Sequence, residues 1–125
     1  MSYSGQILLV DDEVDFIQTM STWLVSKGFS VILANNGASA LKMIKENVPD
    51  LVILDLKMPL MDGVQVLKKI RQSNKNLPVL IMTAHLEHPG ALEVDYHGIS
   101  GVFYKGDEFT EILPLIESAL KTNKK

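Results

Sequence analysis

The sequence predicts an α/β domain in which five parallel strands form one doubly wound sheet with helices on both faces. Short apolar runs alternate with amphipathic helical patterns five times along the 125 residues, as repeated strand–helix units require. Two of the runs, Gln6–Val10 and Leu51–Leu54, are almost continuously apolar, which is typical of strands buried on both faces. Because the connections are short, we expect a single domain over residues 1–125 with a core at about 6–121.

The first two strand–helix units precede residue 50. The strand Gln6–Val10 is followed from Val14 by apolar residues at helical spacing, and Lys27 with Gly28 ends that helix. A short second strand is predicted over Ser30–Ala34. The helix after it carries Ala38, Leu41, Ile44 and Lys45 at helical spacing.

The third strand, Leu51–Asp55, is the stretch around which the chain is organised, because it delivers one acidic residue to the start of a loop. A helix is predicted after Asp62, with residues at the i, i+3, i+4, i+7 positions of an amphipathic helix. These residues are Gly63, Val66, Leu67 and Ile70. Leu77–Met82 predicts the fourth strand, with Pro78 at its start, where a missing donor does least harm.

The last part of the chain predicts a helix, a strand and a final helix. The first of these is the weakest pattern and runs from about Pro89 to Tyr96, since proline is tolerated at a first helical position. Gly101–Tyr104 predicts the fifth strand. The final helix begins near Thr110, because Pro114 then lies in its first turn. Its apolar face consists of Ile112, Leu115, Ile116, Ala119 and Leu120.

Composition restricts the classes of function. The net charge of −3 has the wrong sign for a protein that binds nucleic acid through phosphate contacts, so no direct nucleic-acid partner is expected. The lack of cysteine excludes disulfides, thiolate metal sites and thiol catalysis. No apolar run approaches the ~20 residues that cross a bilayer, and the first residues lack the pattern of a secretion signal. We therefore expect a cytoplasmic protein with no membrane partner.

Polar residues stand where the predicted strands end. They are Asp11, Asp12, Asp55, Thr83 and Lys105. In a parallel sheet all strands point the same way, so these side chains are predicted to meet at one edge, where α/β proteins bind ligands. Each residue alone has a structural explanation, such as a helix cap or an exposed strand end. Three carboxylates in one place, however, repel one another unless a cation lies among them.

This combination of residue types indicates phosphoryl transfer. An oxygen-only cluster suits a hard cation, so Mg²⁺ is the predicted cofactor. A carboxylate oxygen can attack a phosphoryl group to give an acyl phosphate. Lys105 would neutralise charge on the phosphoryl oxygens, and the Thr83 hydroxyl would donate to another oxygen. No glycine-rich loop follows any strand, so a nucleotide site is not indicated.

Four segments together resemble the receiver domain of the two-component response regulators. They are Val10-Asp-Asp-Glu13, Leu54-Asp-Leu-Lys-Met-Pro-Leu-Met-Asp-Gly63, Thr83-Ala84 and Lys105. Each segment alone is a weak signal, but their order and approximate spacing follow the family from Ile7 to about Leu120. The resemblance implies a flavodoxin-like sheet with strand order 2-1-3-4-5.

The resemblance also implies a signalling role. Asp55 would be the phosphoacceptor and would receive its phosphate from a histidine of a sensor histidine kinase or histidine phosphotransfer protein in a phosphorelay. Thr83 and Lys105 would bind the phosphoryl oxygens and switch the binding of a downstream protein target or output domain. Such a domain is not an enzyme in the usual sense, since its phosphotransfer and autodephosphorylation are self-directed.

A set of magnesium ligands is implied by the same resemblance. Asp12, Asp55 and the main-chain carbonyl of Lys57 would bind Mg²⁺ directly. Asp11 would act largely through water. We further expect Lys57 and His85, each two residues past a site residue, to control the access of water to the acyl phosphate.

The sequence departs from the family pattern at two positions. Three residues before Lys105 the family usually has an aromatic ring, and this chain has Val102. After the lysine the family usually has proline, often with a cis bond, and this chain has Gly106. Because a non-proline cis bond costs about 2.5–4 kcal/mol, we predict a trans Lys105–Gly106 bond, with glycine's freedom in φ redirecting the loop.

Other residues have simpler explanations. His85 and His88 are spaced for a shared metal only on a helix, which Pro89 disrupts. Phe16 and Trp23 in the first helix are interpreted as packing residues. If part of their face is exposed, it is the natural docking surface for the kinase.

Two other classes of α/β protein fit the sequence less well. An aspartate-nucleophile phosphatase of the haloacid dehalogenase type needs a second acid where Lys57 stands, and a flavodoxin needs a phosphate loop where Asp11 and Asp12 would repel phosphate. A receiver-like adaptor that binds partners without phosphorylation remains open, since Val102 and Gly106 are unusual. The chain is either a stand-alone receiver or a fragment of a longer regulator or hybrid kinase.

Overall fold

A computed structural model describes residues 4–58, 60–84 and 98–123, with side chains as far as residue 121. Five parallel strands form one sheet in the order β2-β1-β3-β4-β5, so the predicted fold class is confirmed. The strands are β1 Gln6–Val10, β2 Ser30–Ala34, β3 Leu51–Asp55, β4 Val79–Thr83 and β5 Gly101–Tyr104. The helices are α1 Val14–Ser26, α2 Gly37–Glu46, α3 Gly63–Ser73 and α4 Ile112–Asn123, with a 3₁₀ turn at Phe109–Glu111.

Two apolar layers cover the sheet. Successive residues of a strand point to opposite faces, so Leu8 and Val52 pack with α2 and α3, whereas Ile7 and Ile53 pack with α1 and α4. All four side chains are fully buried. β1 and β3 are therefore almost continuously apolar, because both of their faces are covered by helices.

The end of α3 nearest the predicted site is fixed by a capping box. The Asp62 carboxylate accepts from the Gln65 N–H at 3.0 Å, and the Gln65 side-chain oxygen accepts from the Asp62 N–H at 3.0 Å. These two bonds satisfy donors that a helix start would otherwise leave unpaired. The predicted inner face of this helix is confirmed, since its four members Gly63, Val66, Leu67 and Ile70 are buried.

The buried face of α2 agrees with the prediction at Ile44 and Leu41 and differs from it at Ala38. Its buried residues are Gly37, Ala40 and Ile44, and Ala38 is exposed. A Cβ added to Gly37 would lie 2.7 Å from Val66 Cγ2, so the two helices approach at a glycine. A hydrophobic pattern does not detect this contact, because glycine has no side chain.

Strand and helix boundaries differ from the prediction in small ways. The fourth strand was expected at Leu77–Met82, but the Leu77 N–H donates to the Asn74 side chain at 2.9 Å, so Leu77 belongs to the turn. The strand instead extends to Thr83. The last helix has Pro114 in its first turn, as predicted. The helix predicted at about 89–96 lies outside the described residues. No described helix is long and apolar enough to cross a bilayer.

Candidate functional site

The register of the sheet brings the predicted residues to one edge. Val10 pairs with Leu54, so Asp11 follows β1 beside Asp55, the last residue of β3. Thr83 ends β4 and pairs with Tyr104. The four residues Asp11, Asp55, Thr83 and Lys105 consequently stand at the carboxyl ends of four adjacent strands.

Three carboxylates form a compact group at this edge. Oxygens of Asp11, Asp12 and Asp55 all lie within 4.8 Å of one another. Asp11 and Asp55 are buried, whereas Asp12 is exposed. The site therefore has two acids fixed in the sheet edge and a third that faces solvent.

Burial and crowding change the acidity of the two inner acids. Burial, and then the charge of Asp11, raises the pKa of Asp55 from its ordinary 3.8 to about 7, against the lowering effects of Lys105 and the Lys57 N–H. Burial also raises the pKa of Asp11, and its contact with Lys105 offsets only part of this rise. The two acids therefore hold protons more tightly than free aspartates, as expected for close, desolvated carboxylates.

Lys105 supplies the positive charge among these acids. Its Nζ atom lies 2.7 Å from Asp11 Oδ2 and 3.7 Å from Asp55 Oδ2, and it also forms an ion pair with Glu13. Burial lowers the pKa of Lys105, but the contacts with Asp11 and Glu13 outweigh burial and the net change is upward. The ammonium group is therefore held charged.

Thr83 is placed by the backbone next to this lysine. Its side chain is buried at the end of β4, and its carbonyl accepts from the Lys105 N–H at 2.8 Å. Asp55 pairs with Met82, the residue before Thr83. The hydroxyl-bearing residue therefore stands at the end of the strand beside Asp55, as predicted.

The loop after Asp55 is shaped around its own strand. The Gly63 N–H donates to the Leu56 carbonyl at 2.8 Å, and a Cβ on Gly63 would lie 2.8 Å from Leu56 Cα and would contact the Asp55 carbonyl. Only glycine permits this approach. Lys57 is exposed, and its N–H donates to the Asp55 carboxylate. The role of the Lys57 carbonyl as a metal ligand stays a prediction.

The acid group fits a hard divalent cation. Asp11 Oδ2 is buried, and apart from the Lys105 ion pair it makes no hydrogen bond within the described parts of the chain. The donor set consists of carboxylate oxygens, which Mg²⁺ prefers over nitrogen or sulfur ligands. The chemistry of the residues is thus compatible with the predicted cofactor.

Sequence reasoning did not assign a role at the site to Glu13 or Phe16. Glu13 forms an ion pair with Lys105, and the Lys105 ammonium lies 4.9 Å from the centre of the Phe16 ring. The Phe16 ring packs edge-on against Phe109 with centroids 5.9 Å apart, and Trp23 lies 5.6 Å from Phe109. The packing interpretation of Phe16 and Trp23 is confirmed, but Phe16 also contacts the site lysine. The spacing of Glu13 and Phe16 places them on one side of α1, but it does not indicate that Lys105 lies against them.

The two departures from the family pattern have different outcomes. The Lys105–Gly106 bond is trans, as predicted. The expected use of glycine's φ freedom is wrong, because Gly106 is not among the residues with positive φ. Its neighbour explains it instead, since a Cβ there would lie 3.0 Å from Cζ of the Tyr104 ring. Val102, which stands where the family usually has an aromatic ring, is 45% exposed. His85 and His88 lie outside the described residues.

Comparisons with known proteins agree with this geometry. The family model of the response regulator receiver domain matches residues 7–117. The regulatory protein AtoC of Escherichia coli K12 is 35% identical over 121 residues, which are 97% of this chain and 26% of AtoC. The transcriptional regulatory protein ZraR of Klebsiella oxytoca is 38% identical over 114 residues, 91% of this chain and 26% of ZraR.

Solved structures give the same result. A crystal structure of NtrX from Brucella abortus has a TM-score of 0.89 and 29% identity, covering 98% of this chain and 28% of that chain. A response regulator receiver domain protein from Clostridium thermocellum has a TM-score of 0.89 and 27% identity, covering 95% of this chain and 96% of that one.

A five-stranded parallel sheet of this strand order, with an acidic group at its carboxyl edge, is the architecture that the resemblance to receiver domains implies. The chain belongs to the response regulator receiver domain family. It spans about a quarter of the length of the regulators AtoC and ZraR that it matches.

Proposed function

We propose that this chain accepts a phosphoryl group from a phosphohistidine onto Asp55, with the help of Mg²⁺, and that the added charge switches its binding to a partner. The observation that carries the proposal is the meeting of three carboxylates within 4.8 Å, with the Lys105 ammonium 3.7 Å from Asp55. A purely structural edge has no need to bury two acids beside a lysine, because buried charges are costly.

The chemical step is a transfer between two nucleophiles. A carboxylate oxygen of Asp55 attacks phosphorus, the new O–P bond forms, and the P–N bond to the donor imidazole breaks. The electron pair returns to the imidazole nitrogen, which takes up a proton. The pKa of Asp55 is about 7 without a bound metal. A cation near the site would lower this pKa and so favour the ionised, nucleophilic carboxylate.

The acids would act on the phosphoryl group through Mg²⁺, whereas Lys105 and Thr83 would contact its oxygens directly. Asp12, Asp55 and the Lys57 carbonyl would hold Mg²⁺, with Asp11 acting largely through water, and the bound ion would offset negative charge on the phosphoryl oxygens. Lys105 would pair with one of these oxygens, and the Thr83 hydroxyl would donate to another. Hydrolysis of the acyl phosphate returns Asp55 to its free state, so the chain acts only on itself.

The switch follows from the contacts that Lys105 has before phosphorylation. An anion on Asp55 attracts both Lys105 and the Thr83 hydroxyl toward β3. The two residues share a backbone hydrogen bond, so their movement passes together into β4, β5 and the segment after Lys105. A local charge change thereby reaches the surface formed by the 3₁₀ turn and α4.

Partners are inferred from the family and the surface. The donor would be a sensor histidine kinase or a histidine phosphotransfer protein. The half-exposed Phe16 and Trp23 on α1 support docking of that donor near the site. Because AtoC and ZraR are about four times longer than the matched segment, the output would be either an attached domain or a separate protein.

A phosphate mimic tests the switch. We expect beryllofluoride with Mg²⁺ to shift the amide NMR signals of Thr83, Lys105 and the segment after it in the wild type. Asp55→Asn should abolish these shifts. A wild type without any response, in a sample that still binds a partner, would favour the adaptor that works without phosphorylation.

A further inference from the structure

We propose that Glu13 is a positioning residue that holds the Lys105 ammonium away from Asp55 in the unphosphorylated protein, and so limits how tightly the site binds a phosphoryl group. The inference rests on the proposed function and deepens it, because it names a regulator of the same site. Glu13 would act through its contact with Lys105, without touching the phosphoryl group.

The first support is the unequal sharing of Lys105. Its Nζ atom is in direct contact with Glu13 and lies 2.7 Å from Asp11, but it is 3.7 Å from Asp55 Oδ2. The ammonium is thus drawn toward the β1 side of the site. Since charge attraction weakens with distance, Asp55 receives the smallest share of this positive charge.

The second support is the position of Glu13 in the chain. It is the N-cap residue of α1, yet its side chain makes no capping hydrogen bond. The N-caps of α2 and α3, Asn36 and Asp62, both cap their helices. Ser, Thr, Asp and Asn are the residues that cap well. Glu13 occupies a capping position without capping, because its carboxylate is directed to Lys105.

A third support comes from the next turn of the same helix. The Phe16 ring lies 4.9 Å from Lys105 Nζ, and aromatic faces attract cations at this distance. Glu13 and Phe16 are three residues apart and therefore contact the ammonium from the same side of α1. Two groups from α1 thus hold the lysine, one by charge and one by its ring.

The physical consequence is a competition for one ammonium group. A phosphoryl group on Asp55 must draw Lys105 away from Glu13 before it gains the full charge of the lysine. Because the Glu13 side chain is 62% exposed, the contact is worth about as much as a surface ion pair. Its removal should strengthen binding of a phosphoryl mimic by roughly two- to fivefold.

Two substitutions of Glu13 separate the charge from the cap. Glu13→Gln keeps the size and removes the charge. Glu13→Ser removes the charge and supplies a hydroxyl that caps α1. Glu46→Gln is the matched control, since it removes an exposed acid from α2 on the other face of the sheet.

The measurement is a titration of each variant with beryllofluoride in Mg²⁺, followed by the fluorescence of Trp23, the single tryptophan. We expect both Glu13 variants to bind the mimic more tightly than the wild type and Glu46→Gln to bind it equally. Glu13→Ser should also unfold at a higher temperature than Glu13→Gln. In the metal-free protein, the Lys105 Nζ NMR signal should move in both Glu13 variants and stay in the control.

Each outcome decides a separate claim. If the wild type does not bind the mimic, the proposed function fails. If the wild type binds and the Glu13 variants bind equally or more weakly, the restraint on Lys105 is refuted while the proposed function stands. An unmoved Lys105 signal would also refute the restraint, whatever the titration gives.

Discussion

The main-chain N–H of Lys105 donates to the carbonyl oxygen of Thr83 at 2.8 Å. This bond joins the residue that carries the site's positive charge to the residue that carries its hydroxyl. Thr83 ends β4, which lies next to β3, and Lys105 directly follows β5. Both side chains are largely buried. The bond therefore links the main chain at the end of β4 to the main chain just after β5, beside Asp55.

Removal of the lysine charge should destabilise the fold. In Lys105→Met the Asp11 and Asp55 carboxylates lose their cation, and we expect a loss of about 1–3 kcal/mol in the free energy of unfolding near neutral pH. Lys57→Met is the matched control, because Lys57 is exposed at the same edge. Urea denaturation measures both. Equal losses in the two variants would show that Lys105 does not stabilise the acids.

The stability of the metal-free protein should fall as pH rises. The pKa of Asp55 is about 7 in the folded state and 3.8 ordinarily, so between these values the folded protein holds a proton that the unfolded chain has released. The stabilisation is complete below about pH 4 and is lost as pH passes 7. Denaturation in a chelator should show this slope, and Asp55→Asn should flatten it. An identical slope in that variant would contradict the shift.

A glycine at position 60 should stabilise the loop. Leu60 has φ of 68° and its side chain is fully exposed, so it has backbone strain of about 1–2 kcal/mol without compensating packing. Leu60→Gly removes the strain but adds freedom to the unfolded chain, and we expect a net gain of up to about 1 kcal/mol. Leu60→Ala retains the strain and should be nearly neutral. Chemical denaturation compares the two, and a glycine variant less stable than the alanine variant would contradict this account.

The glycine at position 63 should not tolerate a side chain. In Gly63→Ala the new Cβ meets the backbone of Asp55 and Leu56. We therefore expect the free energy of unfolding to fall by about 1–3 kcal/mol. Gly106→Ala is the comparison, since the nearest atoms to its Cβ belong to the ring of the exposed Tyr104, and a side chain shifts at a lower cost than backbone. Thermal unfolding should separate the two clearly. A Gly106→Ala variant as unstable as Gly63→Ala would refute the distinction.

Most of the fold was predictable because its signals are local. Apolar runs locate the strands, and the capping and glycine signals locate the helix ends. The burial of Gly37 in α2 was not predictable, because it depends on a close contact with Val66 and glycine gives no hydrophobic signal. The reason for Gly106 was also missed, since it depends on how the Tyr104 side chain lies.

At the site, the strand ends were predictable and the long-range contacts were not. Asp11, Asp55, Thr83 and Lys105 follow from the topology of a parallel sheet. The contact between Glu13 and Lys105 joins residues 92 positions apart, and no periodicity in the sequence reports it. Whether Lys57 provides a carbonyl to a metal depends on the ion as well as on the chain.

The central claim is that Asp55 takes a phosphoryl group in a site that needs a divalent cation. Incubation with acetyl phosphate and Mg²⁺, followed by intact-protein mass spectrometry, measures this directly. We predict that the wild type gains the mass of one phosphoryl group, that a chelator prevents the gain, and that Asp55→Asn gains none. A wild type that gains no mass, or an Asp55→Asn variant that gains it equally, would contradict the claim.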